Sequence, residues 1–505
     1  MTRTDVDSLP DDPAELKRMM KDIISERELL EYRLDQLLHK RYGASREKHS
    51  PNQKTLFELG TEDVAGEPVE ENEESETSPR PSRRNGRRRL PADLPRERVE
   101  LELSEADRCC PDCGEVRQQI GWEVSEQVEY VPAKLYVIEN ARAKYACKIC
   151  QEHVTIAPKP ATPIDKGMAG PGLLAALVVG KYGDHLPLYR MEEILSRSGL
   201  CISRSTQSDW MRRVAELTRP IVDRMKQEVL NSPIIWTNDT TLPVLDPDRD
   251  STKTGRLWVY LGDLNHRYAV FDYSPDRKGQ RPREFLAGFA GYLQADAYSG
   301  YNELCERGPV TEVACWAHAR RKFHEAKAVA RVGATYAMDQ IGQLYGLEKK
   351  AQKVDATRRR ELRQKHALPR LEKFKTWLDQ QAEELLPKSP LRAAVQYARN
   401  QWEALCRYTE HGDLTIDNNL SERTLRCVAV GRKNWLFAGS DRGGQTAATL
   451  FSLIATCKLR HVDPYHYLRD ILTRLPQQDV TSVDDLLPDH WLTQHPEAKL
   501  VEHRR

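Results

Sequence analysis

The chain has 505 residues, with 77 Lys and Arg against 76 Asp and Glu, and 39% of its residues are hydrophobic. Because this length exceeds what one hydrophobic core usually serves, several domains are expected. Balanced charge excludes a general attraction to nucleic acid, so DNA binding would depend on local basic patches. The longest apolar run, residues 173–179, is far below the roughly 20 residues that span a bilayer, and the acidic start is unlike a signal peptide, so we expect a cytoplasmic protein without a membrane partner.

The first predicted element is a helix with a coiled-coil seam. Its apolar residues follow alternating three- and four-residue spacings, interrupted at Arg27, and are Leu16, Met20, Ile23, Leu30, Leu34 and Leu37. About three heptads suffice for a modest dimer contact. The alternative is a single amphipathic helix docked on the protein's own body.

A charged linker follows this helix. Residues 62–76 contain eight acids and no base, and residues 80–89 contain six Arg and no acid, a composition typical of disorder. The arginines are candidates for contacts with phosphates or a narrow minor groove, namely Arg83, Arg84, Arg87 and Arg88. A solvated spacer, or pairing of the basic half with the acidic half, is the alternative.

Two cysteine pairs with the same spacing come next, Cys110-Pro-Asp-Cys113 and Cys147-Lys-Ile-Cys150. Tetrahedral Zn²⁺ is bound by four thiolates from two such pairs. Because protein ligands would fill all four positions, we predict one structural Zn²⁺ rather than a catalytic one. A redox cysteine pair and unligated buried thiols are the alternatives, and Cys109 is the residue most easily mistaken for a ligand.

A helix-turn-helix pattern lies between Pro187 and Val214. Gly199 ends the first helix, and Ser203 opens a second one that carries Arg204 and Gln207 as candidates for contacts in the major groove. Helical hairpins that only pack are the common alternative.

Strand-like segments begin at residue 234. We predict three consecutive strands over residues 234–239, 257–263 and 268–272, a helix near 282–289, and strands over 292–296 and 312–316. This order predicts an α+β layer with a mixed sheet. About 100 helical residues follow, with apolar faces centred on Ile341, Phe374 and Val395, and with basic clusters at residues 320–322 and 358–360. Each cluster suits either a phosphate backbone or a solvated helix face.

Three acids in this region are candidate metal ligands: Asp239 and Asp296 on the first and fourth strands, and Glu422 on a later helix. If the two strands pair, Asp239 and Asp296 are neighbours. Three carboxylates can hold two Mg²⁺ ions about 4 Å apart, which can stabilise both oxygens of a phosphodiester displacement. Each acid also has an ordinary explanation, because Asp often ends strands, and Glu422 has capping-box spacing from Asn419 and ion-pair spacing to Arg426.

A series of motifs resembles the transposase of insertion-sequence family 66. They occur in the family's order over nearly the whole chain, with the paired cysteines between the first and the second: Arg41-Tyr-Gly-Ala-Ser-Arg-Glu-Lys48, Asp239-Thr-Thr, Gln294-Ala-Asp-Ala-Tyr-Ser-Gly-Tyr301, Cys315-Trp-Ala-His-Ala-Arg-Arg-Lys-Phe323, Asp417-Asn-Asn-Leu-Ser-Glu-Arg423 and Gly431-Arg-Lys-Asn-Trp-Leu-Phe-Ala-Gly-Ser440.

The resemblance implies a ribonuclease-H-like core with an Asp-Asp-Glu triad at Asp239, Asp296 and Glu422. With the helical segment after residue 316 read as an insertion, we expect a multidomain α+β protein. The expected organisation is a zipper-like helix over 1–50, a linker over 51–95, a zinc module over 96–157, a helix-turn-helix region over 158–230, a catalytic domain over 231–430 with an insertion near 320–410, and a C-terminal domain over 431–505. The family usually has a second acid directly after the first catalytic Asp, where this chain has Thr240. Since neighbouring strand residues face opposite ways, we expect Thr240 to point away from the metals.

The implied activity is cleavage at the ends of a mobile element and joining of the freed 3′ hydroxyl to target DNA, with two Mg²⁺ or Mn²⁺ ions. Expected partners are double-stranded DNA of the terminal inverted repeats and the target, further copies of the chain, and accessory proteins of the same element, at the nucleoid. Candidates for positioning phosphates are Arg320, Arg321, Arg423, Arg432 and Lys433. A nuclease that cuts without joining and a catalytically silent DNA-binding repressor are the alternatives.

Overall fold

A computed structural model describes residues 160–500 except 166, 247, 249, 478 and 479, together with 135–145, 155–156 and scattered positions between 12 and 30. Two compact units are present, Leu59–Ala143 and the combination of Met1–Glu58 with Lys144–Arg505. The four zinc-ligand candidates, the arginine-rich linker and the first family motif lie outside the described residues. In the N-terminal helix, the seam residues Met20, Ile23 and Leu30 are each more than half exposed.

The central sheet has five strands and mixed direction. Strands β3, β4 and β5 follow one another antiparallel, and β6 and β7 are added parallel to β3 on its other side, so the spatial order is β5-β4-β3-β6-β7. A separate antiparallel pair, β1 with β2, precedes it. The strands are β1 (Lys144–Tyr145), β2 (Thr155–Ile156), β3 (Ile234–Val244), β4 (Lys253–Leu261), β5 (Ala269–Ser274), β6 (Gly291–Gln294) and β7 (Val310–Val313).

Helices cover both faces of this sheet's strongly apolar centre, where Leu257 to Leu261 of β4 are all buried. They are α1 (Pro171–Val178), α2 (Leu188–Ser196), α3 (Arg204–Leu230), α4 (Gln280–Phe285), α5 (Asn302–Arg307), α6 (Trp316–Ala326), α7 (Arg331–Ala351), α8 (Ala356–Leu362), α9 (Leu368–Glu384), α10 (Pro390–Asn400), α11 (Trp402–Cys406), α12 (Asn419–Trp435), α13 (Asp441–Leu459), α14 (Pro464–Arg474) and α15 (Pro488–Gln494). In the part of the chain that is described, no helix is long and apolar enough to cross a membrane.

The predicted mixed sheet is confirmed, with two corrections to its strands. β3 does not end at Asp239 but continues to Val244, because β4 pairs with it as far as Lys253. Trp316 does not close the last strand but opens α6, because the backbone leaves the sheet after β7 and Trp316 N donates to the carbonyl of Ile416.

The predicted helical hairpin is present as α2 and α3. Gly199 has a φ of 80° after α2, and the Ser203 hydroxyl accepts from Thr206 N at the start of α3. The second helix is much longer than the pattern suggested, because its apolar face continues to Val229.

The apolar faces predicted after β7 are buried. Ile341 of α7, Phe374 of α9 and Val395 of α10 are each at most 1% exposed. At the opposite edge of the sheet, α13 packs on β5, and the hydroxyls of Ser452 and Thr456 accept from backbone N–H groups of that edge strand. The open edge is therefore covered by a helix rather than left to pair with another strand.

Candidate functional site

Asp239 lies in the middle of β3, just beyond the part of that strand that pairs with β6. Its carboxylate is only 2% exposed and carries two charged partners, Arg256 Nη1 at 2.6 Å and Arg277 Nη2 at 3.0 Å. Arg256 comes from the neighbouring strand β4, and Arg277 comes from the connection between β5 and α4. A carboxylate this deeply buried needs such compensation, because an unpaired buried charge is strongly unfavourable.

Asp296 follows the end of β6 by two residues, and the register of the parallel pair brings it beside Asp239. The last paired residues are Trp236 on β3 and Gln294 on β6. Arg277 Nη2 lies 3.9 Å from Asp296 Oδ2 while it bonds Asp239, so one guanidinium is shared by the two acids. Its carbon lies 4.4 Å from the ring centroid of Tyr298. The expectation that these strands pair and bring the two acids together is therefore confirmed.

Glu422 is placed by a hydrogen-bond network that ties the residues before α12 to the two strands. Gln294 of β6 donates to the carbonyl of Asp417 and accepts from the Thr415 hydroxyl. Asn418 Nδ2 donates to the carbonyl of Thr237 on β3 at 2.7 Å. These bonds fix the start of α12 against the sheet, and one turn later Glu422 faces the same cavity as Asp239.

The capping explanation of Glu422 is wrong. Asn418, not Asn419, is the N-cap of α12, and no side chain caps it. Asn419 instead donates from its side chain to Asp417 at 2.6 Å. Asp417 also accepts from Tyr345, so this neighbouring acid is held by structural hydrogen bonds.

A cavity of about 320 Å³ is lined by two of the three acids, Asp239 and Glu422, and its walls also include Thr240, Arg423 and Arg426. Burial raises the pKa of Glu422; nearby Arg321 opposes this shift, while the charges of Asp417 and Asp296 add to it. Such an acid gains from a nearby cation that stabilises its ionised form.

His318 of α6 stands beside Glu422, with Nε2 at 3.9 Å from Oε1. Burial lowers the pKa of His318, and the charges of Arg321 and Lys322 lower it further while Asp296 raises it. Within the described residues, His318 Nδ1, Asn418 Oδ1 and Asn419 Oδ1 are buried without a hydrogen-bond partner. Buried polar atoms of this kind are where water or an ion commonly binds.

As the side chains stand, no group of three or more His, Cys, Asp or Glu residues in the described part of the chain is close enough to hold a metal ion. The donor chemistry nevertheless fits a divalent cation, because carboxylate oxygens are hard ligands and a guanidinium already lies between two of them. Asn419, whose Oδ1 has no hydrogen-bond partner in the described part of the chain, lines the same cavity as Glu422 and suits contact with a hydrated ion. A metal would have to displace Arg277 from Asp239 and Asp296.

Thr240 and Arg432 are connected directly. Arg432 Nη1 donates to the Thr240 hydroxyl at 2.9 Å and to the Thr241 hydroxyl at 2.8 Å. The Thr240 hydroxyl thus has a different partner from the neighbouring Asp239 carboxylate, although Thr240 contributes to the cavity wall. Where it would point relative to bound metals stays a prediction.

The described DNA-binding candidates differ in availability. The prediction that Gln207 contacts DNA is wrong, because its side chain is fully buried and donates to the Ile202 carbonyl within the α2–α3 hairpin. Arg204 is exposed and lies 3.5 Å from Glu192. Arg432 is held by its hydrogen bonds to β3. Of the other candidates, Arg320 is half-buried, and Arg321, Arg423 and Lys433 are exposed.

The sequence interpretation missed Arg256, Arg277 and the role of Gln294. Gln294 opens a family motif and was available as a signal. The sequence contains no signal for Arg277, because this residue lies 38 residues from Asp239 in a connection whose path is determined only by the assembled sheet.

The fold and the site together define the class of protein. It is an α+β protein with an acid-lined cavity at the point where two parallel strands meet the start of a helix. A family model described as "Transposase IS66 family" matches residues 166–446, more than half of the chain, and the chain belongs to this family. Further models match residues 452–488 (IS66 C-terminal element), 107–151 (zinc-finger binding domain of transposase IS66) and 29–99 (Transposase C of IS166 homeodomain). The zinc-finger match contains both cysteine pairs.

Similar proteins come from Sinorhizobium fredii (strain NBRC 101917 / NGR234). One, named "Uncharacterized protein y4jD", is 33% identical over 506 aligned positions, and the alignment covers 96% of this chain and 97% of the relative. Another, "Uncharacterized protein y4hP", is 33% identical over 428 residues, covering 80% of this chain and 77% of the relative.

Proposed function

We propose that this chain cuts DNA at the ends of its mobile element and joins the freed 3′ hydroxyl to target DNA. One observation carries the proposal: Asp239 and Glu422 line a single cavity, and Arg277 connects Asp239 with Asp296. The mixed sheet, with three antiparallel strands and two parallel additions beside the first, supports a ribonuclease-H-like core.

Both reactions are in-line displacements at phosphorus, first by water and then by a sugar hydroxyl, so one site can serve both. Two bound Mg²⁺ or Mn²⁺ ions would be held by Asp239, Asp296 and Glu422, and would supply a stronger nucleophile and stabilisation of the departing oxygen. A phosphodiester in the cavity would meet Arg423 and Arg426 on its wall.

The protein's own residues prepare the site in three ways. Gln294 and Asn418 hold the start of α12 against β3 and β6, which keeps Glu422 within reach of the other acids. Arg277, together with Arg256 on Asp239, compensates part of the negative charge of Asp239 and Asp296 before metal binding. His318, beside Glu422, limits that side chain's freedom of movement.

Self-association and a structural Zn²⁺ belong to the same proposal. The exposure of Met20, Ile23 and Leu30 in the N-terminal helix supports a coiled-coil contact between copies, because apolar seam residues are typically buried against a partner helix. The match over residues 107–151 supports a Zn²⁺ held by Cys110, Cys113, Cys147 and Cys150.

The test uses purified full-length protein, Mg²⁺, labelled duplexes that carry the two element ends, and a plasmid target. The proposal predicts nicks at the ends, followed by labelled ends covalently joined to the plasmid. Cleavage without joined product would replace it with a nuclease. Specific binding without cleavage, in Mg²⁺ and in Mn²⁺, would replace it with a repressor.

A further inference from the structure

One face of α12 runs from the acid site to an apolar turn. Arg423, Arg426, Val430 and Lys433 are exposed at alternating three- and four-residue spacings, and exposed Phe437 continues the series beyond the helix end. Residues spaced in this way share a helix face. The face therefore begins beside Glu422 with two arginines and ends at Phe437.

The turn after α12 holds two apolar side chains in solvent. Leu436 is 63% exposed and Phe437 is 42% exposed. Leu436 has a φ of 62° and a ψ of −51°, and Phe437 N donates to the Trp435 carbonyl at 2.8 Å, so the chain makes a three-residue γ-turn of the rarer kind. A leucine in this conformation is strained and persists only where its surroundings enforce it.

Those surroundings are rigid. Ala438 N donates to the Pro243 carbonyl and Leu245 N donates to the Ala438 carbonyl, both at 2.9 Å, which fastens the turn to the end of β3. Trp435 folds back over Gly431, where an added Cβ would lie 2.7 Å from the indole nitrogen. Leu436 and Phe437 are thus presented outward by a braced turn.

The turn lies within a few nucleotides of the acids. Asp239 and Val244 are five residues apart on β3, or roughly 17 Å along a strand. At roughly 3.4 Å per nucleotide along a DNA strand, this corresponds to about five nucleotides. DNA held at the acids would therefore pass the turn.

The charges around the turn favour one path for a bound DNA strand. Arg423, Arg426 and Lys433 lie along α12, whereas the sequence of the β3–β4 connection, residues 245–252, contains three acids against one arginine and is therefore unfavourable for phosphates. A strand whose backbone followed α12 would bring its bases towards the exposed side chains of Leu436 and Phe437. Apolar side chains beside a cationic backbone path are how proteins stack on or wedge between bases.

Resting on the proposed function, we propose that Leu436 and Phe437 form a stacking site for an unpaired base of the DNA strand that lies along α12. The site engages a base without reading its identity, because every base has an aromatic face. It would stabilise DNA that is locally opened next to the cleavage position.

The test compares two probes, a 20-nucleotide oligothymidine and an abasic 20-mer with the same number of phosphates. Full-length protein with Asp239→Asn is used throughout, so that binding is read without cleavage. Phe437→Ala should weaken binding of oligothymidine about tenfold and leave the abasic strand unchanged, because only the first probe can stack. Leu436→Gly should weaken it in the same direction while the turn folds at least as well, because glycine accepts a positive φ.

Val430→Ala on the same helix face and Leu264→Ala, an exposed leucine elsewhere, are the matched controls and should retain the base preference. Photo-crosslinking of 5-iodouracil-substituted oligothymidine should map to residues 436–437. Unchanged base preference in both turn variants, or crosslinks only elsewhere, would overturn the stacking site alone. A loss of self-association without a change in DNA binding would make the turn a protein contact. A protein that binds neither strands nor duplex would overturn the proposed function as well.

Discussion

At the level of single residues, Asp239 is a buried acid whose negative charge is compensated by neighbouring arginines. Arg256 and Arg277 compensate its charge, and Arg277 also reaches Asp296 and packs on Tyr298. A divalent cation and the Arg277 guanidinium would compete for the same two carboxylates. The arginine is 43% exposed, so it can leave without disturbing the core.

Removing this competitor should strengthen metal binding. We expect Arg277→Gln to bind Mn²⁺ about fivefold more tightly, the equivalent of a partly exposed ion pair of about 1 kcal/mol. Free Mn²⁺ measured by electron paramagnetic resonance during a titration gives the affinity. Arg281→Gln is the control, because Arg281 pairs with Asp272 instead. Equal or weaker Mn²⁺ binding in Arg277→Gln would show that the arginine helps to build the metal site.

Lys181 leads to a prediction about the pH dependence of the protein's stability. Burial lowers the pKa of Lys181 to about 8, and its ammonium lies 5.2 Å from the Trp435 ring centroid. Because the unfolded chain then binds more protons than the folded one between pH 8 and about 10.5, stability should rise with pH in that window. Urea unfolding at pH 7 to 10 should show this rise in the parent and a smaller one in Lys181→Met. The exposed Lys433→Met should behave like the parent, and identical slopes in all three proteins would contradict the assignment.

At the level of elements, the helices between β7 and α12 act as a clamp on the chain that leads to Glu422. Arg363 lies in the π-helical turn Arg363–Ala367, is 2% exposed and pairs with Glu348 of α7. It also donates to the carbonyls of Tyr408, His411 and Leu414. The connection before α12 is therefore fixed from the helical side by Arg363 and from the sheet side by Gln294.

Arg363→Met should destabilise the protein by about 3–5 kcal/mol, because it leaves the largely buried Glu348 carboxylate without its arginine partner. Arg358→Met removes an exposed arginine from a helical ion pair and should cost less than about 1 kcal/mol. Urea unfolding of both variants provides the comparison. Equal small losses would mean that Arg363 does not hold this connection.

Local pattern predicted most of these elements but few of their contacts. The strands and the faces around Ile341, Phe374 and Val395 follow from apolar periodicity, which burial imposes on the sequence. The end of β3 was misplaced because Asp239 resembles a strand terminator, whereas pairing with β4 decides the strand length. Gln207 was misassigned because a polar side chain on a second helix resembles a groove contact, and only packing shows that it is buried.

For the whole molecule, the family matches extend from residue 29 to residue 488, and one relative is similar over 96% of the chain. The domains therefore occur together in a related protein, which favours a role for each in one process. The zinc module is the part whose chemistry can be tested independently of catalysis.

Freshly purified reduced protein should contain about one Zn²⁺ per chain, as expected for one site with four thiolates. Elemental analysis of Cys113→Ser combined with Cys150→Ser should show that the zinc is lost. Cys201→Ser, at an exposed free cysteine, should retain it. Zinc in the double variant at the parental level would place the metal elsewhere, and its absence from the parent would remove the site.

The triad is the central claim, and its direct test is Mg²⁺-dependent cleavage and joining by Asp239→Asn, Asp296→Asn and Glu422→Gln. Each change removes a proposed metal-binding charge with little change of shape, so each should abolish both reactions while binding to element ends stays near the parent's. The unfolding midpoint should stay near the parent's in Asp296→Asn and Glu422→Gln, whereas Asp239→Asn should lower it, because Arg256 and Arg277 lose the carboxylate that pairs with them. Glu284→Gln, at an exposed acid of the same domain, should remain active. A folded, DNA-binding Glu422→Gln protein that still cuts and joins would contradict the account.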